Sequence, residues 1–177
     1  MKKALIVVDY QNDFVDGALG FKGAEKMEKP IVKRIEQAIE DGWDLLFTLD
    51  VHDADYLKTA EGKHIAAHCF RESEGAKLYG SVINYISKAK AVFEKQTYGS
   101  LELGNFLRQQ SYAALELAGL VSDICVLSNA IIARTALPEA EIYLNRELTS
   151  GPDAELHRKA LDVMKGLHID IIGGDMS

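Results

Sequence analysis

Lys3-Ala4-Leu5-Ile6-Val7-Val8-Asp9 is the stretch on which the reading of the fold turns. Its aliphatic part does not alternate with polar residues, as a strand with only one buried face would. A continuous apolar run this short suits a strand covered on both faces, and such strands belong to parallel sheets. The run follows Met1-Lys2-Lys3 and so superficially resembles the start of a signal peptide. It stops at an aspartate without a small-residue cleavage site, so a first core strand is the better reading.

Working outward, short apolar runs alternate with longer segments of helical spacing. Pro30 suits a first helical turn, and Ile31, Ile35, Ala38 and Ile39 follow at helical intervals until Gly42 stops the helix. Trp43–Leu49 reads as a second strand, and a polar stretch from Asp50 to about Gly75 follows. Residues 78–88 look helical, 91–94 form a short strand, 101–109 a helix and 112–117 a strand. Asp123 is expected to cap an apolar helix running through Ile132. Residues 141–144 read as a strand, Asp153–Lys165 as a helix capped by Asp153, and Ile169–Ile172 as a last strand. Strands separated by helix-length segments imply right-handed βαβ units. The expected fold is α/β: one domain over residues 1–177, with a mainly parallel six-stranded sheet, helices on both faces and Rossmann-type layering.

Composition narrows the function classes. Hydrophobic residues make up 47% of the 177 and charged residues 27%, which fits a globular domain rather than a disordered chain. The formal net charge is −7, with acids and bases mixed along the chain. Nucleic acid is therefore not an expected partner, since tracking phosphates needs clustered Lys and Arg. No apolar run approaches the ~20 residues of a membrane span. Cys69 and Cys125 make no disulfide framework, and a reducing cytoplasm fits both.

Ligands of open parallel sheets bind beyond the carboxyl ends of the strands. Asp9 ends the first strand there, Asp50 and His52 follow the second, Lys95 ends the third, and Cys125 lies just past the fourth. Most free cysteines are inert and buried. Cys125 is expected at a helix start, where backbone N–H groups favour thiolate and can receive an oxyanion. Cys69 lacks that setting and reads as structural. Asp9, at the edge of an apolar strand, is expected to have a raised pKa suited to moving a proton near neutrality. Lys95 beside it would offset negative charge, and the three form an activated-nucleophile set. Asp50 and His52 sit two apart in an extended segment and can project to one side. With a further imidazole, from His64 or His68, they make a plausible divalent-metal site.

Five short segments, in order, resemble the isochorismatase-like cysteine hydrolases, and within them the bacterial nicotinamidases. They are Ile-Val-Val-Asp-Tyr-Gln-Asn-Asp-Phe at 6–14, Asp-Val-His at 50–52, His-Cys at 68–69, Phe-Glu-Lys-Gln-Thr-Tyr-Gly-Ser at 93–100 and Gly-Leu-Val-Ser-Asp-Ile-Cys-Val at 119–126. The resemblance runs from Lys3 to about Ile142. It implies Asp9, Lys95 and Cys125 as a catalytic triad and Asp50, His52 and His68 as metal ligands, with Glu61 as a further carboxylate. It also implies a cis peptide bond between Leu120 and Val121, with the Val121 and Cys125 amides facing an oxyanion, and Phe14 and Tyr98 lining a ring pocket. Two departures stand out. Ile65 occupies a position where many relatives carry an aromatic, and Lys58 one where some carry a histidine.

The activity implied is hydrolysis of nicotinamide to nicotinate and ammonia through a cysteine thioester, in the cytoplasm and as part of NAD salvage. One divalent metal, zinc ahead of iron or manganese, would orient the pyridine ring, and a dimer or tetramer is the implied assembly. The alternative within enzymes is a relative acting on another small amide, an N-carbamoyl compound or a ureide. Vinyl-ether hydrolysis is disfavoured because it uses no nucleophilic cysteine. A silent binding or oligomerisation module would not be expected to keep all three of Asp9, Lys95 and Cys125.

Overall fold

The structure, a computed structural model, describes residues 1–174. Six strands make one sheet: β1 (Lys3–Val8), β2 (Asp44–Asp50), β3 (Ala91–Lys95), β4 (Ala114–Leu120), β5 (Glu141–Ser150) and β6 (Asp170–Ile172). Their order is β3-β2-β1-β4-β5-β6 and every pairing is parallel. The aliphatic run of β1 lies at the centre, with Ala4 beside Asp44 of β2 on one side and Leu115 of β4 on the other.

Alternate side chains of β1 enter two separate cores, so the run has no polar position. Ala4, Ile6 and Val8 pack with α3 (Leu101–Gln110), α4 (Leu127–Ala136) and α5 (Ala154–Gly166) through residues such as Leu103, Leu107, Ala130, Ala133 and Met164. Leu5 and Val7 face α2 (Glu28–Glu40) and meet Ile31, Ile35 and Ala38. Burying such side chains stabilises the fold by about 1.5–3 kcal/mol each. Helices therefore cover both faces, as the apolar pattern requires.

Local chemistry sets several boundaries. Pro30 sits in the first turn of α2, and Gly42, with φ +73°, turns the chain after it. Asp153 caps α5 by accepting from the Glu155 and Leu156 amides, as expected from the sequence. The expectation for Asp123 fails. A π-helical turn over Ser122–Val126 precedes α4, Val121 occupies the capping position, and no side chain caps it. Asp123 thus lies inside the turn, past the point where its carboxylate could cap. Residues 78–88 are helical but narrow, a 3-10 segment over Gly80–Lys88. A short helix α1 (Asn12–Val15) and 3-10 turns at Ala24–Met27, Tyr56–Lys58 and Glu61–Lys63 carry too few residues for periodicity to reveal. No helix among the described residues is long and apolar enough to cross a membrane.

A buried charge interrupts the middle of β4. Glu116 of β4 faces Arg34 of α2, whose Nε donates to both carboxylate oxygens at 3.1 and 3.0 Å and whose Nη2 lies 2.8 Å from Oε2. Replacing Arg34 with alanine would strand that carboxylate. The expected cost is about 3 kcal/mol, at the low end for a broken buried pair because Arg34 keeps an edge in solvent. Urea unfolding of the variant checks it.

Candidate active site

The order of strands reverses between β1 and β4, and a crevice opens at their carboxyl ends. Asp9 stands at that point. It leaves β1 with φ +46°, a left-handed conformation that aspartate tolerates better than most residues, and it is fully buried. Beside it β4 approaches closely at Gly119, where a β-carbon would collide with the Val8 carbonyl. The Leu120–Val121 peptide bond that follows is cis, and the π turn then carries Cys125 into the crevice.

Lys95, at the end of β3, joins the charged groups. Its Nζ lies 2.6 Å from Asp9 Oδ2, 3.2 Å from Asp50 Oδ1 and 3.7 Å from Cys125 Sγ. The Thr48 hydroxyl donates to Asp9 Oδ1 at 2.6 Å. Burial raises the pKa of Asp9, outweighing the opposing pull of Lys95. Lys95 stays firmly protonated: burial alone would lower its pKa, but the charges of Asp9 and Asp50 and the hydrogen bond to Asp9 reverse the effect.

Cys125 corrects an expectation. Burial first, and then the negative charge of Asp9, push its thiol well above the ordinary range. The helix start was expected to favour thiolate. The sulfur instead lies in the fourth position of the π turn, 4% exposed and beside carboxylates, and desolvation dominates. The resting group is a thiol with a carboxylate base at hand. Cys69 is buried too, with its thiol pushed up by burial, and its amide is held by Asp13 Oδ2 at 2.7 Å, which agrees with a structural role.

On the other side of Asp50 the remaining polar groups converge. Asp50 Oδ2 lies 3.1 Å from His52 Nε2 and 3.0 Å from His68 Nε2, and Glu61 Oε1 is 3.8 Å from His52 Nε2. Ligand atoms of Asp50, His52, Glu61 and His68 all fall within 4.8 Å of one another. Burial would raise the Asp50 pKa, but hydrogen bonds from both imidazoles and the charge of Lys95 bring it well down. Nδ1 of His68 is 2.7 Å from the Ala66 carbonyl, which fixes the ring and turns Nε2 inward. Glu61 Oε2 is buried without a partner. Two imidazole nitrogens and two carboxylates, one of them with an orphaned oxygen, form a donor set that suits a divalent cation. His64 is exposed and outside the group, so His68 supplies the second imidazole. Lys58 is also exposed.

Between the thiol and the His68 imidazole lies a cavity of about 230 Å³. Cys125, Val121, Asp50, His68 and Glu61 reach it, and Phe14, Tyr98 and Ile65 form walls around it. Phe14 also packs edge-on against His68, with ring centres 5.3 Å apart. The volume falls below the ~300–1,000 Å³ of pockets for drug-sized ligands and suits a single small ring.

Compared with known proteins, the chain matches the isochorismatase domain over residues 3–174. The chain belongs to the isochorismatase family. Among curated members it is 27% identical over 188 residues to the nicotinamidase/pyrazinamidase of Mycobacterium tuberculosis, covering 96% of this chain and 98% of that protein. Among solved structures, the nicotinamidase/pyrazinamidase PncA from Bacillus subtilis superposes with TM-score 0.88 at 34% identity, over 98% of this chain and 100% of the other. The pyrazinamidase of Pyrococcus horikoshii in complex with zinc gives TM-score 0.86 at 27% identity, over 98% and 100%.

Several residues that shape this isochorismatase-family site escaped the sequence reading. Gln11 is fully buried and clamps the Asp50 backbone: its Oε1 accepts from the Asp50 amide and its Nε2 donates to the Asp50 carbonyl, both at 2.8 Å. Thr48 holds Asp9. Each had a local signal, a polar residue in or just after an apolar strand. Leu19, Ile124 and Pro152 also line the cavity; Ile124 directly precedes Cys125, and nothing in the neighbourhoods of Leu19 and Pro152 marks them.

Proposed function

We propose that this family member is a nicotinamidase, hydrolysing nicotinamide to nicotinate and ammonia. One observation carries the proposal: a thiol with its base and a metal-type donor cluster face each other across a cavity the size of one small ring. The names of the relatives point the same way.

In the proposed chemistry, Asp9 takes the proton from Cys125 and the sulfur attacks the carboxamide carbon. Lys95 holds Asp9 in place and limits the negative charge gathering around the sulfur. The amides of Val121 and Cys125 receive the oxyanion. Asp9 then passes its proton to the departing ammonia, and water hydrolyses the thioester with Asp9 again as base. Phe14 and Tyr98 flank the ring, where aromatic contacts add about 0.5–1.5 kcal/mol beyond burial. Asp50, His52, His68 and Glu61 would hold one divalent ion, zinc first, which when bound supplies a Lewis acid for the ring nitrogen. The same reading places the protein in the cytoplasm, in NAD salvage, as a single-domain subunit of a dimer or tetramer.

Ammonia release from nicotinamide, before and after treatment with a chelator, tests this. Turnover is expected to fall roughly 10²-fold on metal removal, the scale of a substrate misplaced by about 1 Å, and to return with added zinc. Turnover of N-carbamoyl compounds or ureides in place of nicotinamide, with no metal bound and no chelator effect, would instead support the other small-amide reading.

A further inference from the structure

Asn129, in the first turn of α4, is fully buried and does not line the cavity. Its amide nevertheless ties together the two halves of the site. Nδ2 donates to the Cys125 carbonyl at 2.8 Å and to the Tyr98 carbonyl at 3.1 Å. Oδ1 accepts from the Ser100 amide at 3.0 Å. Both donor hydrogens and one acceptor position of the amide are therefore used.

The Cys125 carbonyl is an i−4 neighbour of Asn129, whereas the Tyr98 and Ser100 groups lie 31 and 29 residues away. The Cys125 carbonyl sits where the π turn gives way to α4, at a seam marked by the i−5 bond from the Val126 amide to the Val121 carbonyl. Such turns recur at functional sites because they re-aim a backbone that a regular helix would hold otherwise. Tyr98 and Ser100 belong to the loop that links Lys95, at the end of β3, to α3, which Ser100 caps by accepting from the Leu103 amide at 3.1 Å. That loop lies close on α4: a β-carbon at Gly99 would come 2.6 Å from Ile132 Cδ1. One buried amide thus links the nucleophile's turn, the aromatic wall and the chain that leads on from Lys95.

We propose that Asn129 is a positioning residue for the amide hydrolysis, locking the Cys125 turn and the Tyr98 wall into one unit. This rests on the nucleophilic role given to Cys125 above. Without the lock, sulfur and ring wall would settle independently, and both turnover and substrate binding would suffer.

Asn129→Asp tests it best, since it keeps the shape and the acceptor for Ser100 while leaving no donor when ionised and at most one when protonated. Asn129→Ser and Asn129→Ala accompany it. Thr135→Val is the control on the same helix, losing a 2.8 Å bond to the Ile131 carbonyl, and neither residue lines the cavity. Each protein is assayed well below its own unfolding midpoint, for kcat and KM with nicotinamide and for the rate of iodoacetamide addition to Cys125, followed by peptide mass.

In Asn129→Asp, kcat is expected to fall about tenfold or more, KM to rise, and the alkylation rate to change about threefold or more, while Thr135→Val stays near wild type on all three. A folded Asn129→Asp or Asn129→Ser protein with all three quantities within about twofold of wild type overturns the proposal, whatever its stability. Failure of all three Asn129 variants to fold overturns it as well, because the bonds would then serve the fold alone. Wild-type protein inert toward nicotinamide would sink the substrate reading, and the alkylation rates would still decide the role of Asn129.

Discussion

Cys125→Ala is expected to abolish ammonia release from nicotinamide, by at least about 10⁴-fold, while leaving a folded protein. No other thiol lines the cavity. Cys69 is wholly buried and held among backbone groups by Gln11 and Asp13. The stability cost should be small, about 1 kcal/mol for one buried heavy atom. A steady-state ammonia assay, with a thermal melt of the same sample, measures both. Appreciable residual turnover would mean that water attacks the amide directly.

Asp9→Asn should lower kcat by about 10²–10⁴, the range for a lost general base. The substitution is nearly isosteric, and its amide oxygen can still accept from the Thr48 hydroxyl. What disappears is the proton acceptor and its charge. The charge matters separately, because Asp9 is among the groups that raise the Cys125 pKa. With that carboxylate neutralised and Lys95 still 3.7 Å from the sulfur, the thiol becomes more acidic. Alkylation of Cys125 should therefore extend to lower pH in the variant even as turnover collapses. Faster alkylation with slower catalysis separates a missing base from a merely disturbed site. Both quantities falling together would point to disturbance. Because the two residues act in one step, the double variant with Cys125→Ala should be no worse than Cys125→Ala alone.

The layered parallel sheet was legible because β1 advertises two-sided burial in its own residues and the helical segments repeat their apolar spacing. Placement of Asp9, Asp50, Lys95 and Cys125 followed from the fold, since each ends or follows a strand. The metal-type cluster was legible only in part. Asp50 and His52 lie together in sequence, whereas the choice of His68 over His64 depends on a loop path set by contacts such as the His52 amide with the Cys69 carbonyl. The state of the thiol was misread for a related reason. A helix start can be seen in sequence, but the depth of burial that outweighs it cannot. Gln11 and Asn129 fall in the same class: their partners lie 39 and 31 residues away for the Asp50 and Tyr98 carbonyls, and only the folded chain brings them together.

The sulfur of Cys125 is expected to become covalently acylated during turnover. Protein mixed with nicotinamide, quenched in acid within the first turnovers and digested for mass spectrometry, tests this directly. A nicotinoyl group is expected on the peptide containing Cys125, appearing before steady state and absent from Cys125→Ala. Ammonia released at the wild-type rate with that peptide unmodified at every quench time would contradict it.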